Sequence, residues 1–155
     1  MSFPAIAPAM GTILELGGLA LVAFGAATLL PLQSEPVLVG LLLLGETSPW
    51  LLVLVASLAN TMGSAVNWWL GGKLLRFQGR RWFPATPAQL DRATGWYRRF
   101  GRWSLLLAWA PIIGDPLTLV AGMLRERLVV FLALVLVSKA SRYIALTFIT
   151  LGLLA

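Results

Sequence analysis

A carboxylate enclosed by prolines occurs twice in this chain at one spacing, as Pro31-Leu-Gln-Ser-Glu35-Pro36 and as Pro111-Ile-Ile-Gly-Asp115-Pro116. Each copy interrupts an apolar run. The chain holds nine prolines, so two copies of one spacing are hard to ascribe to chance. An acid in apolar surroundings either pairs with a cation or takes up a proton, because desolvation penalises its charge. Proline lacks a backbone donor and clashes with the preceding turn, so a helix stops or bends there. In lipid, broken backbone and a charge are tolerated only inside protein or beside a water-filled cavity. Pro31, Pro36, Pro111, Gly114 and Pro116 are therefore the expected hairpin-breaking positions, and Glu35 and Asp115 the acids beside them.

Cations for these acids stand in the last apolar segment. Lys139 and Arg142 are three residues apart and share a helix face. Counted from Leu128, Lys139 lies about 16 Å along a helix, close to mid-bilayer. A single ionised side chain at that depth costs about 2.5–3.5 kcal/mol on insertion scales, so the four charges must pair or neutralise. Three readings compete. The cations hold an anionic headgroup while a carboxylate exchanges protons; or two buried salt bridges fix the hairpins; or the cations snorkel to an interface, against which the depth of Lys139 counts. Acids beside broken helices, rather than within plain transmembrane helix, favour the first. Glu35, Asp115, Lys139 and Arg142 are accordingly the expected substrate- and proton-coupling residues.

Composition bounds the chemistry further. With 59% hydrophobic and 12% charged residues, the chain reads as a membrane protein. It contains no His and no Cys. That excludes a disulfide framework, a Cys/His zinc site, a His general base and a Ser-His-Asp triad, and makes an enzyme the least supported class. No metal and no cofactor is expected. Net charge is +6, yet residues 1–72 carry no Lys or Arg. Lys73, Arg76, Arg80, Arg81, Arg92, Arg98, Arg99 and Arg102 crowd into the next segment, which reads as a cytoplasmic loop near anionic headgroups rather than as a nucleic-acid surface. No charged n-region precedes the first apolar stretch, so it is expected to be part of the mature fold.

The elements that must position these charges can be read in order. Residues 11–30 are apolar up to the first break; the limb from Val37 to Gly45 rises only about 14 Å, half a hydrocarbon core. Residues 50–72 form a full crossing, with Trp50 and Trp68-Trp69 as interfacial belts about 27 Å apart. One face of it carries Ala56, Asn60, Gly63, Ser64, Asn67 and Gly71, spaced for close helix packing, with Asn60 and Asn67 as candidate polar lining. Within the basic loop 73–102, Thr86-Pro87-Ala88-Gln89 reads as a capped helix start. Leu90, Ala93, Tyr97 and Phe100 then share the apolar face of an amphipathic helix in the interface. Trp103 to Ala110 and Leu117 to Leu124 are again half-length limbs, bounded by Arg102 and Arg125; residues 128–155 are the last crossing. Charge asymmetry puts loop 73–102 inside and both termini outside, in the periplasm. The expected fold is all-α, a single membrane domain over 1–155. It has two opposed re-entrant hairpins, each followed by a transmembrane helix (half 1, 11–72; half 2, 103–155). This is an inverted repeat, an architecture whose site lies at the midplane.

At these residues the chain resembles the DedA superfamily, also called the SNARE-associated or VTT-domain family, and within it the small YqaA-like branch. The likeness rests on Ala27-Thr28-Leu29-Leu30-Pro31 with Glu35, on Asn67-Trp68 with Leu70-Gly71-Gly72, and on the second hairpin. There Phe100-Gly101-Arg102 leads to Trp109-Ala110-Pro111, Gly114-Asp115-Pro116 and Ala121-Gly122. The resemblance implies opposed re-entrant hairpins in a bacterial inner membrane and movement of lipids or lipid-linked phosphates such as undecaprenyl phosphate. It also implies links to proton-dependent tolerance, with Glu35 and Asp115 on the family's acidic positions. One departure matters: where typical members carry arginines around the second-hairpin proline, this chain has Ala108 and Gly114. Lys139 and Arg142 are the candidate replacements.

The expected function is movement of a lipid-linked or other anionic substrate between leaflets, proton-linked through Glu35 and Asp115. The alternatives are a proton-coupled carrier of small ions or drugs and a non-transporting assembly factor. Expected partners are membrane lipids or lipid-linked phosphate, protons and, since one bundle buries little surface, a second copy in a homodimer.

Overall fold

In both halves the acid–proline dipeptide starts a helix. Helix α2 (Glu35–Leu44) opens on Glu35 and Pro36, and α5 (Gly114–Met123) carries Asp115 and Pro116 in its first turn. Proline suits that place because the amide it lacks has no intrahelical partner there, and a carboxylate there meets the positive end of the helix dipole. The dipeptide thus begins a new helix after a break rather than bending a continuous one. The computed structural model describes residues 6–28, 33–74, 80–81, 85–110 and 113–153. Pro31 and Pro111, the leading prolines of the two motifs, lie outside the described residues. The regular elements among those described are helical.

Three long helices frame the short ones: α1 (Ile6–Ala26), α3 (Pro49–Leu74) and α6 (Leu128–Gly152). The Trp50 ring meets Phe148 edge-on at 6.0 Å between centroids, and Trp68 meets Phe131 at 6.2 Å, so α3 and α6 run antiparallel over their length. Helix α1 runs alongside α3 in the same direction. The Asn60 amide donates to the Ala23 carbonyl at 2.9 Å, and Asn67 donates to the Ala27 carbonyl at 2.8 Å. Asn67 also reaches the Thr118 hydroxyl of α5 at 3.3 Å.

Close approach explains the small residues on α3. A Cβ on Gly63 would overlap the Phe24 carbonyl of α1, and one on Gly71 would overlap the Leu119 carbonyl of α5. Gly122 returns the relation, since a Cβ there would strike the Trp68 carbonyl. The stripe read from sequence is therefore the seam on which α1 and α5 sit, one above the other along α3. Around α1, α2 and the start of α3, Leu19, Ala23, Leu38, Leu42, Leu52 and Ala56 form one buried cluster with Tyr143. A second cluster gathers α4, α5 and the first half of α6 around Leu105, Leu117, Val120 and Phe131.

The two halves differ in their first limbs. Helix α1 has 21 residues and begins ahead of the stretch read as apolar, so it rises about 31 Å, the thickness of a hydrocarbon core. Its counterpart is a 3₁₀ helix of seven residues, Gly101–Leu107, which rises about 14 Å. Helices α2 and α5 match, each with ten residues. Ala27, just beyond α1, is level with Asn67, so α1 stops about 10 Å short of the end of α3.

Helix α4 (Pro87–Phe100) begins as its sequence demands. The Thr86 hydroxyl accepts from the Gln89 backbone N–H, and the Gln89 side chain accepts from the Thr86 N–H, closing a capping box. Its apolar face, Leu90, Ala93 and Tyr97, is buried. That face packs on α5 and the 3₁₀ helix rather than on lipid. Phe100 leaves this face: it lies 5.3 Å from Trp96 with the Arg99 guanidinium 5.4 Å above its ring.

Large apolar side chains cover much of the outside, among them Leu54, Met62, Val129, Val137, Phe148 and Ile149. Only 28% of the most apolar stretch of α6 is buried within the protein, whereas the core helix of a water-soluble protein would be covered. Helices α3 and α6 are long and apolar enough to cross a membrane.

Candidate functional site

One face of α6 gathers the charges. Ser138, Lys139 and Arg142 lie within a turn and a half, and Tyr143 stands beside them. Lys139 reaches Asp115 of α5, Nζ to Oδ1, at 3.9 Å. Arg142 reaches Glu35 of α2, Nη2 to Oε1, at 2.6 Å. The four residues singled out in the sequence are thus brought together as two ion pairs, each joining α6 to the acid that starts a short helix.

The pairs are not equivalent. Arg142 and Glu35 make a short charge-assisted hydrogen bond, and both side chains stay partly accessible. Arg142 also donates through Nη1 to the Trp109 carbonyl at 2.9 Å, so one guanidinium ties the first half's acid to the second half's broken backbone. The Lys139 ammonium is buried and touches Asp115 beyond hydrogen-bonding distance. Asp115 itself is more open, its side chain 38% exposed. A buried charge held by one long contact is poorly compensated.

Ser138 completes the support. Its hydroxyl donates to the Leu106 carbonyl at 2.8 Å and accepts from the Trp109 N–H at 3.0 Å. Backbone groups freed where the 3₁₀ helix ends are therefore satisfied by α6 side chains, as burial requires. Ser34, just before Glu35, places its hydroxyl 2.6 Å from that of Tyr143, both buried. Sequence reasoning missed Ser138, Tyr143, Ser34 and Trp109. Ser138 was within reach of it, lying one turn before Arg142 on the same face.

Asn60 and Asn67, the candidate polar lining, point their amides at the Ala23 and Ala27 carbonyls, Asn67 also at Thr118, and they line neither of the clefts described here. Gly114 sits where a Cβ would overlap the Ala108 carbonyl, and its N–H donates to Ala110 at 2.7 Å. Ala108 is itself buried. The two positions where the resemblance would place arginine thus pack backbone to backbone, and no long side chain fits at Gly114. The Arg142 guanidinium reaches this turn from α6, at the Trp109 carbonyl.

The Glu35–Arg142 pair opens onto a cleft of about 420 Å³, walled by Trp109, Ser141, Leu146 and Ile149. A mostly apolar cleft with one ion pair at its wall can take an amphiphile with a charged end. Among the described residues, no cluster of acids has metal-binding geometry.

The family model described as the VTT domain matches residues 30–151, from the first break through α6. The chain belongs to the VTT-domain family. It is 41% identical over 138 residues to the inner membrane protein YqaA of Escherichia coli (strain K12), covering 88% of this chain and 91% of that one. The YqaA protein of Shigella flexneri matches to the same extent. An uncharacterised protein of Haemophilus influenzae is 33% identical over 138 residues, with 83% of this chain and 82% of that protein covered. No solved structure matches the chain. The matched span contains all four charged site residues, and the chain is a membrane protein of this family.

Proposed function

We propose that this protein moves a lipid-linked or other anionic amphiphile between membrane leaflets, with protonation of Glu35 and Asp115 releasing and re-forming their ion pairs. The observation that carries the reading is the convergence of two helix-starting acids, one from each half, on adjacent cations of a single helix beside an amphiphile-sized cleft. An anionic headgroup entering the cleft would compete with Glu35 for Arg142, and a protonated Glu35 would yield that partner. The Lys139–Asp115 pair behind it would respond in turn, since the two cations share one face.

The same reading treats α1–α2 and the 3₁₀ helix with α5 as opposed dips into the bilayer, with loop 73–102 on the cytoplasmic side. It is supported by the two ten-residue helices, too short to cross, and by α1 and α5 meeting α3 at different heights. The length of α1 makes the first dip asymmetric. A second reading, a non-transporting scaffold, is favoured by the completeness of the pairing, because all four charges are already engaged.

Reconstitution separates the two. Purified protein in liposomes should translocate a labelled undecaprenyl phosphate or phospholipid, and Glu35→Gln should slow it at least tenfold. A soluble cation or drug exchanging for protons instead would point to a carrier. Wild-type protein that moves none of these in folded, reconstituted form would leave the scaffold.

A further inference from the structure

A second cleft, of about 500 Å³, lies where the end of α3 meets the α5–α6 turn. Lys73, Arg125 and Arg127 line it together with Trp68 and Trp69. Its position is about 22 Å along α6 from Arg142, so it is separate from the ion pairs already described.

Three cations around one cleft repel each other unless an anion compensates them. Glu126 also lines the cleft and offsets one of these charges, so three cations against one acid leave a net charge of +2 there. One carboxylate oxygen accepts from the Tyr97 hydroxyl at 2.5 Å, and the other from the Arg127 backbone N–H at 3.2 Å. Its backbone carbonyl accepts from the Trp68 indole at 3.1 Å. Among the described residues, none of Lys73, Arg125 and Arg127 is ion-paired with an acid.

The backbone at Arg125 adds an independent observation. Helix α5 ends in a two-bond turn in which the Arg125 N–H donates to Gly122 and the Glu126 N–H donates to Ala121. The residue after the cap of such a turn is left-handed and is ordinarily glycine. Here it is Arg125, with φ 54°, the one described non-glycine residue at positive φ. A strained arginine where glycine would fit freely suggests that its side chain is needed there.

We propose that this cleft binds a phosphate group, held by Lys73, Arg125 and Arg127 with Trp68 and Trp69 beside it. The source is either the headgroup of an anionic lipid or free phosphate. Basic pockets between helix ends at a membrane surface suit such headgroups, and guanidinium groups match phosphate oxygens in pairs. The inference does not depend on transport and stands whichever substrate the other cleft takes.

The test uses full-length protein in detergent, titrated with short-chain phosphatidic acid, short-chain phosphatidylcholine or inorganic phosphate while the unfolding midpoint is followed. Phosphatidic acid should raise the midpoint saturably, and phosphatidylcholine should not. Arg125→Gly and Arg127→Gln should each weaken phosphatidic acid binding about tenfold, the loss of one charge-assisted contact. Arg125→Gly should unfold, without ligand, at the wild-type temperature or above, because glycine takes the left-handed turn freely, so lost binding cannot be put down to misfolding. Inorganic phosphate as effective as phosphatidic acid would assign the site to free phosphate, and a preference for the lipid would assign it to a headgroup. An equal response to phosphatidylcholine, or wild-type affinity in both variants, would overturn the proposal.

Discussion

Lys139 and Asp115 show how far chemistry could be read from residue types alone. A cation near mid-bilayer had to find an acid, and only a few acids were available, so the partners could be named as a quartet. Which acid met which cation could not be read, because it depends on the crossing of α2 and α5 over α6. The structure gives Arg142 the short bond to Glu35 and leaves Lys139 with the looser contact. That asymmetry sets the expected mutational response. Asp115→Asn strands a buried ammonium and should destabilise the protein by about 3 kcal/mol, the lower end for breaking a buried pair. Lys139→Met leaves a partly exposed carboxylate, which water can solvate, and should cost less. The double variant, with both charges gone, should recover most of the stability. Urea or thermal unfolding of the three proteins checks the order, and a double variant less stable than Asp115→Asn would contradict it.

Local signals were legible and long-range ones were not. The start of α4 followed from Thr86, Pro87 and Gln89, since a capping box is settled within one turn. The start of α1 was not legible, because apolar residues continue in both directions without a cap. The 3₁₀ helix Gly101–Leu107 ends in backbone that residues more than thirty positions away satisfy, Ser138 at the Leu106 carbonyl and Arg142 at the Trp109 carbonyl just beyond it. Small residues on α3 announced a close approach without naming its partner. The contact between α3 and α5 should be unforgiving: Gly122→Ala puts a methyl against the Trp68 carbonyl and should cost about 1–3 kcal/mol, read as a lower unfolding midpoint. At the other side of α5, burial and the bond to Glu126 hold the Tyr97 hydroxyl protonated well above its ordinary range. Its raised value means that this link is fully present below about pH 10 and lost as the pH rises beyond it. Unfolding midpoints should therefore fall at alkaline pH, and Tyr97→Phe should make the fall shallower; an unchanged slope would show the link to be inert.

For the molecule as a whole, the run of cations after residue 72 remains the strongest pointer to orientation. The chain contains no cysteine, so single introduced cysteines report without background. Ser48→Cys should react with an impermeant thiol reagent in intact cells, and Arg92→Cys only after permeabilisation; the reverse pattern would invert the proposed topology. The larger claim is that α6 gathers two acids in order to release them, and stability alone cannot decide it. The Asp115→Asn/Lys139→Met protein can, because it should fold well while lacking one pair. Its rate of moving labelled undecaprenyl phosphate or phospholipid across liposomes, beside that of wild type, is the direct measurement. If the two acids are released during transport, the protein is stable and at least tenfold slower than wild type; a stable protein moving the substrate at the wild-type rate would rule that release out.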